Sequence, residues 1–333
     1  MLHPFLLAFL LAVFSAATQA VSLFDGLRNA NATKFAQWIE SDAALVAIFT
    51  APGIRTVFAP SDDVAEDFNK TGHRLLRMRD TSMIERGASI QCSESSCNSS
   101  TLGTPPGSVL GTKDGNDISS HASNEPNPLR SRHLSTHPIR IFSGLGNSVS
   151  VVKGDTPFDG GLIQTIDGFF TIPQSFSSTF RIKNLTNFNA GIQTAGLSST
   201  VDDPAGLTVF ATTNDVFQAG TGNSTSPTQL AGVLSNHIVP GFRGYRPLLV
   251  DGATLTTKAG TNLTVHIRNG EYFINEARII ASDLITTNGV AHVLDKVCHI
   301  SLLLSRPGVN RLLIDSPTST CGFHRLELVN EPN

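Results

Sequence analysis

The chain has 333 residues, 40% of them hydrophobic and 15% charged, with a formal net charge of −3. That length carries a prior of about two domains, and the near-neutral balance excludes the broad basic surface on which nucleic-acid binders rely. The aromatic complement is 20 Phe against two Tyr and one Trp, a bias that suits core filling better than a stacking platform, because Phe has no polar handle.

The chain opens on an apolar run from Phe5 to Phe14, followed by small residues with cleavage sites at Ala17 or Ala20. This is the architecture of a secretory signal peptide, assigned to residues 1–20. The run is about ten residues, short of the roughly 20 needed to cross a bilayer, so no transmembrane segment is expected. The predicted location is extracellular, secreted or at the cell surface or wall, with the vacuole as an alternative. Sequons at Asn31, Asn69, Asn98, Asn184, Asn223 and Asn262 fit that route and predict glycosylation. Four Cys in an oxidising compartment favour pairing. The local connectivity Cys92–Cys97 and Cys298–Cys321 is expected among the three available. No CxxC or HxxxH spacing accompanies them, so a zinc site is not expected.

A helical pattern at Phe35, Trp38 and Ile39 precedes the stretch TVFAPSDDV, Thr56 to Val64. Thr, Val and Phe are β-formers, and Pro60 ends the ladder because it lacks an N–H. Ser61 is placed to cap a following helix, with Asp62 and Asp63 in its first turn. The competing reading is a carboxylate pair for acid–base or metal chemistry. The stretch returns as TVFATTNDV, Thr208 to Val216, with six of nine positions shared but only one acid of the pair kept. A second echo links GGLIQTIDGFF, from Gly160, with NGVAHVLDKVC, from Asn288. Two copies of one domain explain both echoes, and the acids then read as capping residues.

Between the echoes, residues 92–138 are rich in Ser, Asn, Gly and Pro. Few apolar residues interrupt them, so the segment is predicted to be a long polar insertion without a core of its own. The apolar pattern resumes over Ile139 to Val152. In the second copy, Phe188, Ile192 and Leu197 mark a helical pattern, and Leu263, Val265 and Ile267 alternate along a strand. Asn269-Gly270 is a strong hairpin signal, and further strands follow through Val297. Helices, a strand, more helix and then a β meander define an α+β class. His292 lies on an apolar strand face and reads as a hydrogen-bonded core imidazole. His237 ends a helical stretch before Pro240-Gly241.

TVFAPSDDV, LSNHIVPG (Leu234 to Gly241) and NGVAHVLDKV (Asn288 to Val297) together resemble the fasciclin domain, in an arrangement similar to fungal members. The second copy, residues 174–300, matches all three blocks. The first, residues 21–173, matches the first block; Gln164 stands where the third block has His, and the middle block is not recognisable. Residues 301–333 form a C-terminal tail that ends in polar residues, without the apolar stretch of a lipid-anchor signal. The resemblance implies two α+β domains, each a wedge- or sandwich-like sheet with packed helices. It also implies an extracellular, non-catalytic adhesion or matrix module with no cofactor and no metal, whose partners are cell-surface, wall or matrix components. Its adhesion-associated Tyr-His pair corresponds here to Asn236 and His237, so the Tyr is missing. The alternatives are a carbohydrate- or lipid-binding module and, further off, a hydrolase using Asp62, Asp63 or His237. Signatures of zincins, α/β-hydrolases and P-loop enzymes are absent from the sequence.

Overall fold

The computed structural model describes residues 21–65, 81–122, 139–202, 206–221 and 226–298. The described strands fall into two sheets of seven. The first contains β1 (Thr56–Pro60), β2 (Cys92–Ser93), β3 (Ser108–Gly111), β4 (Asp117–Ala122), β5 (Ile139–Phe142), β6 (Ser148–Phe158) and β7 (Gly161–Ile166). The second contains β8 (Leu207–Thr212), β9 (Ile238–Pro240), β10 (Thr254–Thr256), β11 (Asn262–Arg268), β12 (Glu271–Ile274), β13 (Ala277–Thr286) and β14 (Gly289–Leu294). The strand order is β2-β1-β7-β6-β5-β4-β3 in one and β9-β8-β14-β13-β12-β11-β10 in the other, the same topology twice. In each, the first strand pairs in parallel with the last, Phe58 opposite Gln164 and Phe210 opposite His292. Around these sheets pack helices such as Thr33–Glu40 and Ala43–Phe49 in the first half and Phe176–Ile182 and Thr186–Thr194 in the second. The class is α+β.

The TVFA block is central because its strand is buried on both faces. Along a strand, side chains alternate between faces. Val57 and Ala59 join the helix-side core with Leu27, Phe35, Ile39 and Phe49, while Phe58 turns inward to Ile90, Leu102, Ile118, Ile141 and Phe170. The second half repeats this: Val209 and Ala211 meet Phe176, Phe180, Phe188 and Leu234, and Phe210 meets Val239, Leu263, Val265, Ile274 and Leu294. Each sheet curls until its ends meet. Lys113 N donates to Cys92 O at 3.0 Å in the first, and Lys258 N to Ile238 O at 2.7 Å in the second.

The second echo also has a steric cause. Gly161 and Gly289 open the strands that lie against β1 and β8. A Cβ on either would come within 2.1 Å of Arg55 O or 2.2 Å of Leu207 O, so only glycine fits there. The Asn269-Gly270 turn forms as expected, with φ of 54° and 78°.

Two expectations are corrected. The segment read as a polar insertion is regular over residues 92–122, contributing β2, the helix Ser99–Gly103, β3 and β4. The extra length of the first copy lies largely between β4 and β5, residues 123–138, where β11 and β12 are joined by Asn269 and Gly270 alone; residues 123–138 are outside the described set. The expected Cys92–Cys97 disulfide is not formed, and both thiols are free. Cys92 faces the helix-side core and Cys97 the core inside the curled sheet, so the two side chains point to opposite faces. Cys298 is free and buried; its expected partner, Cys321, lies outside the described residues, as do residues 1–20 and the tail.

Candidate functional site

Asp62 and Asp63 stand in the first turn of the helix that follows β1, as expected, and Asp62 also serves the N-terminus of a second helix. The helix Thr33–Glu40 follows Ala32, which has no side-chain acceptor, and Thr186–Thr194 likewise follows Leu185. Asp62 Oδ1 accepts from Lys34 N at 2.7 Å, and Asn214 Oδ1 accepts from Asn187 N at 2.9 Å. Each supplies from the end of the central strand the cap that the helix lacks locally. Asp63 is exposed. Among the described residues no group of three or more His, Cys, Asp or Glu could hold a metal ion.

Four further polar positions recur in the two halves, and together they tie the loops to the sheet. Thr56 Oγ1 donates to Ser95 O at 2.7 Å and accepts from Cys97 N at 3.0 Å; Thr208 Oγ1 donates to Phe242 O at 2.7 Å and accepts from Gly244 N at 2.8 Å. His237 Nδ1 donates to Phe210 O at 2.5 Å while its Nε2 accepts from Cys298 N at 3.0 Å. In the first half Gln91 does the same work, its amide donating to Phe58 O at 3.0 Å and accepting from Phe170 N at 2.8 Å. His292 Nε2 donates to Gly244 O at 2.8 Å and Nδ1 accepts from Asp283 N at 3.4 Å. Gln164 again matches, donating to Cys97 O at 3.0 Å and accepting from Asp155 N at 3.3 Å. A Gln amide offers one donor and one acceptor about as far apart as the two imidazole nitrogens. The first-half middle block is therefore present around Gln91, hidden because Gln replaces His.

Asn236 and His237, the adhesion-associated positions of the resemblance, are 9% and 1% exposed. Asn236 Nδ2 donates to Gly232 O at 2.9 Å, and its Oδ1 accepts from Thr261 Oγ1 at 2.7 Å. Their hydrogen bonds hold the fold, and neither presents its side chain outward.

The fourth recurring pair is Asp155 and Asp283, each at a bulge of the long strand with positive φ, 59° and 55°. Asp155 Oδ1 accepts from Ser99 N at 2.8 Å and Gln164 Nε2 at 2.9 Å, and its Oδ2 accepts from the Ser99 hydroxyl. Burial would raise its pKa, but these hydrogen bonds hold it below the usual carboxylate range. Asp283 Oδ1 accepts from Arg246 N at 2.8 Å, and Oδ2 accepts from Ser119 Oγ at 3.0 Å. Ser119 belongs to β4, in the other half. Burial pushes the Asp283 carboxyl up, against the nearby His292 and these hydrogen bonds, and it pushes the His292 imidazole down.

This contact is part of a joint between the halves. One face of β4 carries Asp117, Ser119 and His121. Asp117 Oδ2 accepts from Tyr245 Oη at 2.9 Å and pairs with Arg243 Nη1 at 3.4 Å. His121 stacks on Phe142 with centroids 4.6 Å apart; burial, then Arg246 and Arg140, lowers its pKa to about 3. Tyr245, Ile285 and Val290 gather beside Val109 and Phe142 in a small apolar cluster, and Gly144 bridges Ile285. The polar strand DISSHA looked like loop because one of its faces is matched to another polar surface.

Exposed features lie elsewhere. Leu248, Val250 and Ile280 are 46%, 61% and 46% exposed. Ile280 lines a shallow depression of about 210 Å³ with Arg246, Glu271 and Tyr272, and the Arg246 guanidinium lies 4.8 Å from the Tyr272 ring centroid. A depression of about 390 Å³ in the first half is lined by Leu23, Phe24, Phe49, Ile54 and Phe158, with Arg55 and Asp159 at hand. Asn31, Asn98, Asn184 and Asn262 are exposed. Asn31 and Asn184 occupy equivalent turns with φ of 59° and 57°; Asn69 and Asn223 lie outside the described residues. No helix among the described residues is long and apolar enough to cross a membrane.

A family model described as the fasciclin domain matches residues 183–299. The chain is similar to a fasciclin-like arabinogalactan protein of Arthroderma benhamiae, 33% identical over 171 residues, covering 51% of this chain and 40% of that protein. It is also similar to a fasciclin-like arabinogalactan protein of Cercospora beticola, 31% identical over 161 residues, covering 47% and 43%. The chain thus spans less than half the length of these relatives. Among solved structures it is similar to a FAS1 domain pair from the insect cell adhesion molecule fasciclin I, with a TM-score of 0.38 and 16% identity over 82% of this chain and 98% of that one. The second half is a fasciclin domain, and the first half repeats its strand order, registers and polar framework. The chain is thus a tandem of two like domains, the second of them a fasciclin domain.

Proposed function

We propose that the protein is a secreted, glycosylated, non-catalytic adhesion or wall- and matrix-association module. Its signal peptide would be residues 1–20, its first domain residues 21–173 and its second residues 174–300. The observation that carries this reading is the use of the family blocks. Thr56, Thr208, His237 and His292 spend their side-chain polar atoms on internal hydrogen bonds, and Asp62 spends one carboxylate oxygen so, which leaves contact with partners to the exposed surface. The fasciclin domain over residues 183–299 supports it, as do the exposed sequons. The surface we assign to contact is that around Leu248, Val250 and Ile280, since apolar groups left in water favour association.

The test is binding of the mature glycosylated chain to wall polysaccharides and to cell surfaces, against a control glycoprotein. Binding above the control is expected, and the triple variant Leu248→Asp, Val250→Asp, Ile280→Asp should lower it at least tenfold with an unchanged melting temperature. Binding no greater than the control overturns the reading. The first-half depression favours a second reading, a small apolar ligand, because its volume falls within the roughly 300–1,000 Å³ of ligand pockets.

A further inference from the structure

The two bulge carboxylates occupy one position in the repeated fold, yet they are completed from different sources. Each Oδ1 takes the backbone N–H that begins the next helical turn, from Ser99 or from Arg246. Each Oδ2 takes a serine hydroxyl. In the first domain that hydroxyl is on the same residue, Ser99. In the second domain the equivalent residue, Arg246, has no hydroxyl, and its side chain stacks over Tyr272 instead. Ser119, from β4 of the first domain, fills the place. Asp283 is fully buried, and a buried carboxylate oxygen without a donor is costly, whereas Asp155 is exposed; the need for a donor from the neighbouring domain therefore falls on the second domain.

We propose that the residue opening this helical turn determines whether a fasciclin domain of this chain is open or closed to a neighbour. Ser99 closes the first domain by completing Asp155 from within. Arg246 leaves Asp283 incomplete, so the second domain requires the Ser119 strip and docks on the first in one order only. The side chain at position 246 is thus a specificity determinant of the domain–domain contact.

The test uses the full mature chain and hydrogen–deuterium exchange of peptides covering 116–122 and 283–286. Arg246→Ser puts a competing hydroxyl beside Asp283 and should speed exchange of both peptides at least tenfold relative to Arg246→Ala, which removes the guanidinium without adding a donor. Equal rates in the two variants overturn the proposal, because the effect would then belong to the lost arginine. Ser119→Ala leaves the second domain's sequence intact and serves where the position 246 variants do not fold. It should speed the same peptides at least tenfold, and exchange at the wild-type rate overturns the proposal. Adding Arg246→Ser to Ser119→Ala should raise the melting temperature of the second domain again while exchange of the β4 peptide stays fast. No such recovery overturns it.

Discussion

At the scale of single residues, the chain solves each backbone problem twice and not always with the same side chain. Thr208 makes two hydrogen bonds that Val, of equal shape, cannot make. Thr208→Val should therefore lower stability by about 1–3 kcal/mol, read as a shift in the denaturant midpoint. Gln164 shows what His292 requires, one donor and one acceptor, so His292→Gln should cost under about 1.5 kcal/mol while His292→Ala costs about 2–4 kcal/mol in the same measurement. Charge separates the two solutions, since an amide does not titrate and an imidazole does. This is why the first copy's middle block escaped the sequence reading. Gln91 carries the right hydrogen-bonding groups, but nothing in its name announces a histidine's role.

At the scale of elements, β1 and β8 were legible because both faces are buried. A run of Val, Phe and Ala between turn residues has few other uses, and the repeat removed the ambiguity. The glycine of the second echo was visible as a letter, but its cause was not, since the close carbonyl comes from a strand far away in sequence. Gly289→Ala would force its Cβ to within 2.2 Å of Leu207 O. It should destabilise the second domain by at least about 2 kcal/mol, checked by thermal melting. β4 was missed for the opposite reason. Its pattern of Asp117, Ser119 and His121 is polar because the covering surface is another domain, and hydrophobic periodicity does not register a polar face that becomes buried. The expected Cys92–Cys97 bond failed on the same alternation: five residues apart looked local, yet β2 and the loop after it send the two side chains to opposite faces.

At the scale of the whole molecule, the joint gives stability a pH dependence that neither domain's fold requires. His121 is held at about 3, below its ordinary 6.5. A base depressed in the folded state takes its proton in the unfolded state first, so stability is full above about pH 6.5 and is lost as pH falls toward 3. Between pH 7.5 and 5 the loss from His121 is about 2 kcal/mol. His292 is lowered too and adds in the same direction. Asp283 is raised and acts in reverse, its contribution growing as the solution becomes acidic. The variant His121→Gln leaves His292 and Asp283 in place, so the difference between the two proteins isolates His121. Denaturant titrations at pH 7.5 and 5 should show the variant losing about 2 kcal/mol less than the wild type. The existence of two domains was written in the repeat, but the joint was not, because its partners, Asp117 with Tyr245 and Ser119 with Asp283, are separated by more than a hundred residues.

Ser99 has one more consequence. Arrays of stacked repeats need end pieces, units whose outer face is finished so that growth stops. Such ends are commonly whole modified repeats. On the proposal above, the Ser99 hydroxyl already occupies Asp155, so a domain set against this one would gain no hydrogen bond at that oxygen. In that arrangement the presence or absence of one hydroxyl decides whether the bulge carboxylate is left for a neighbour.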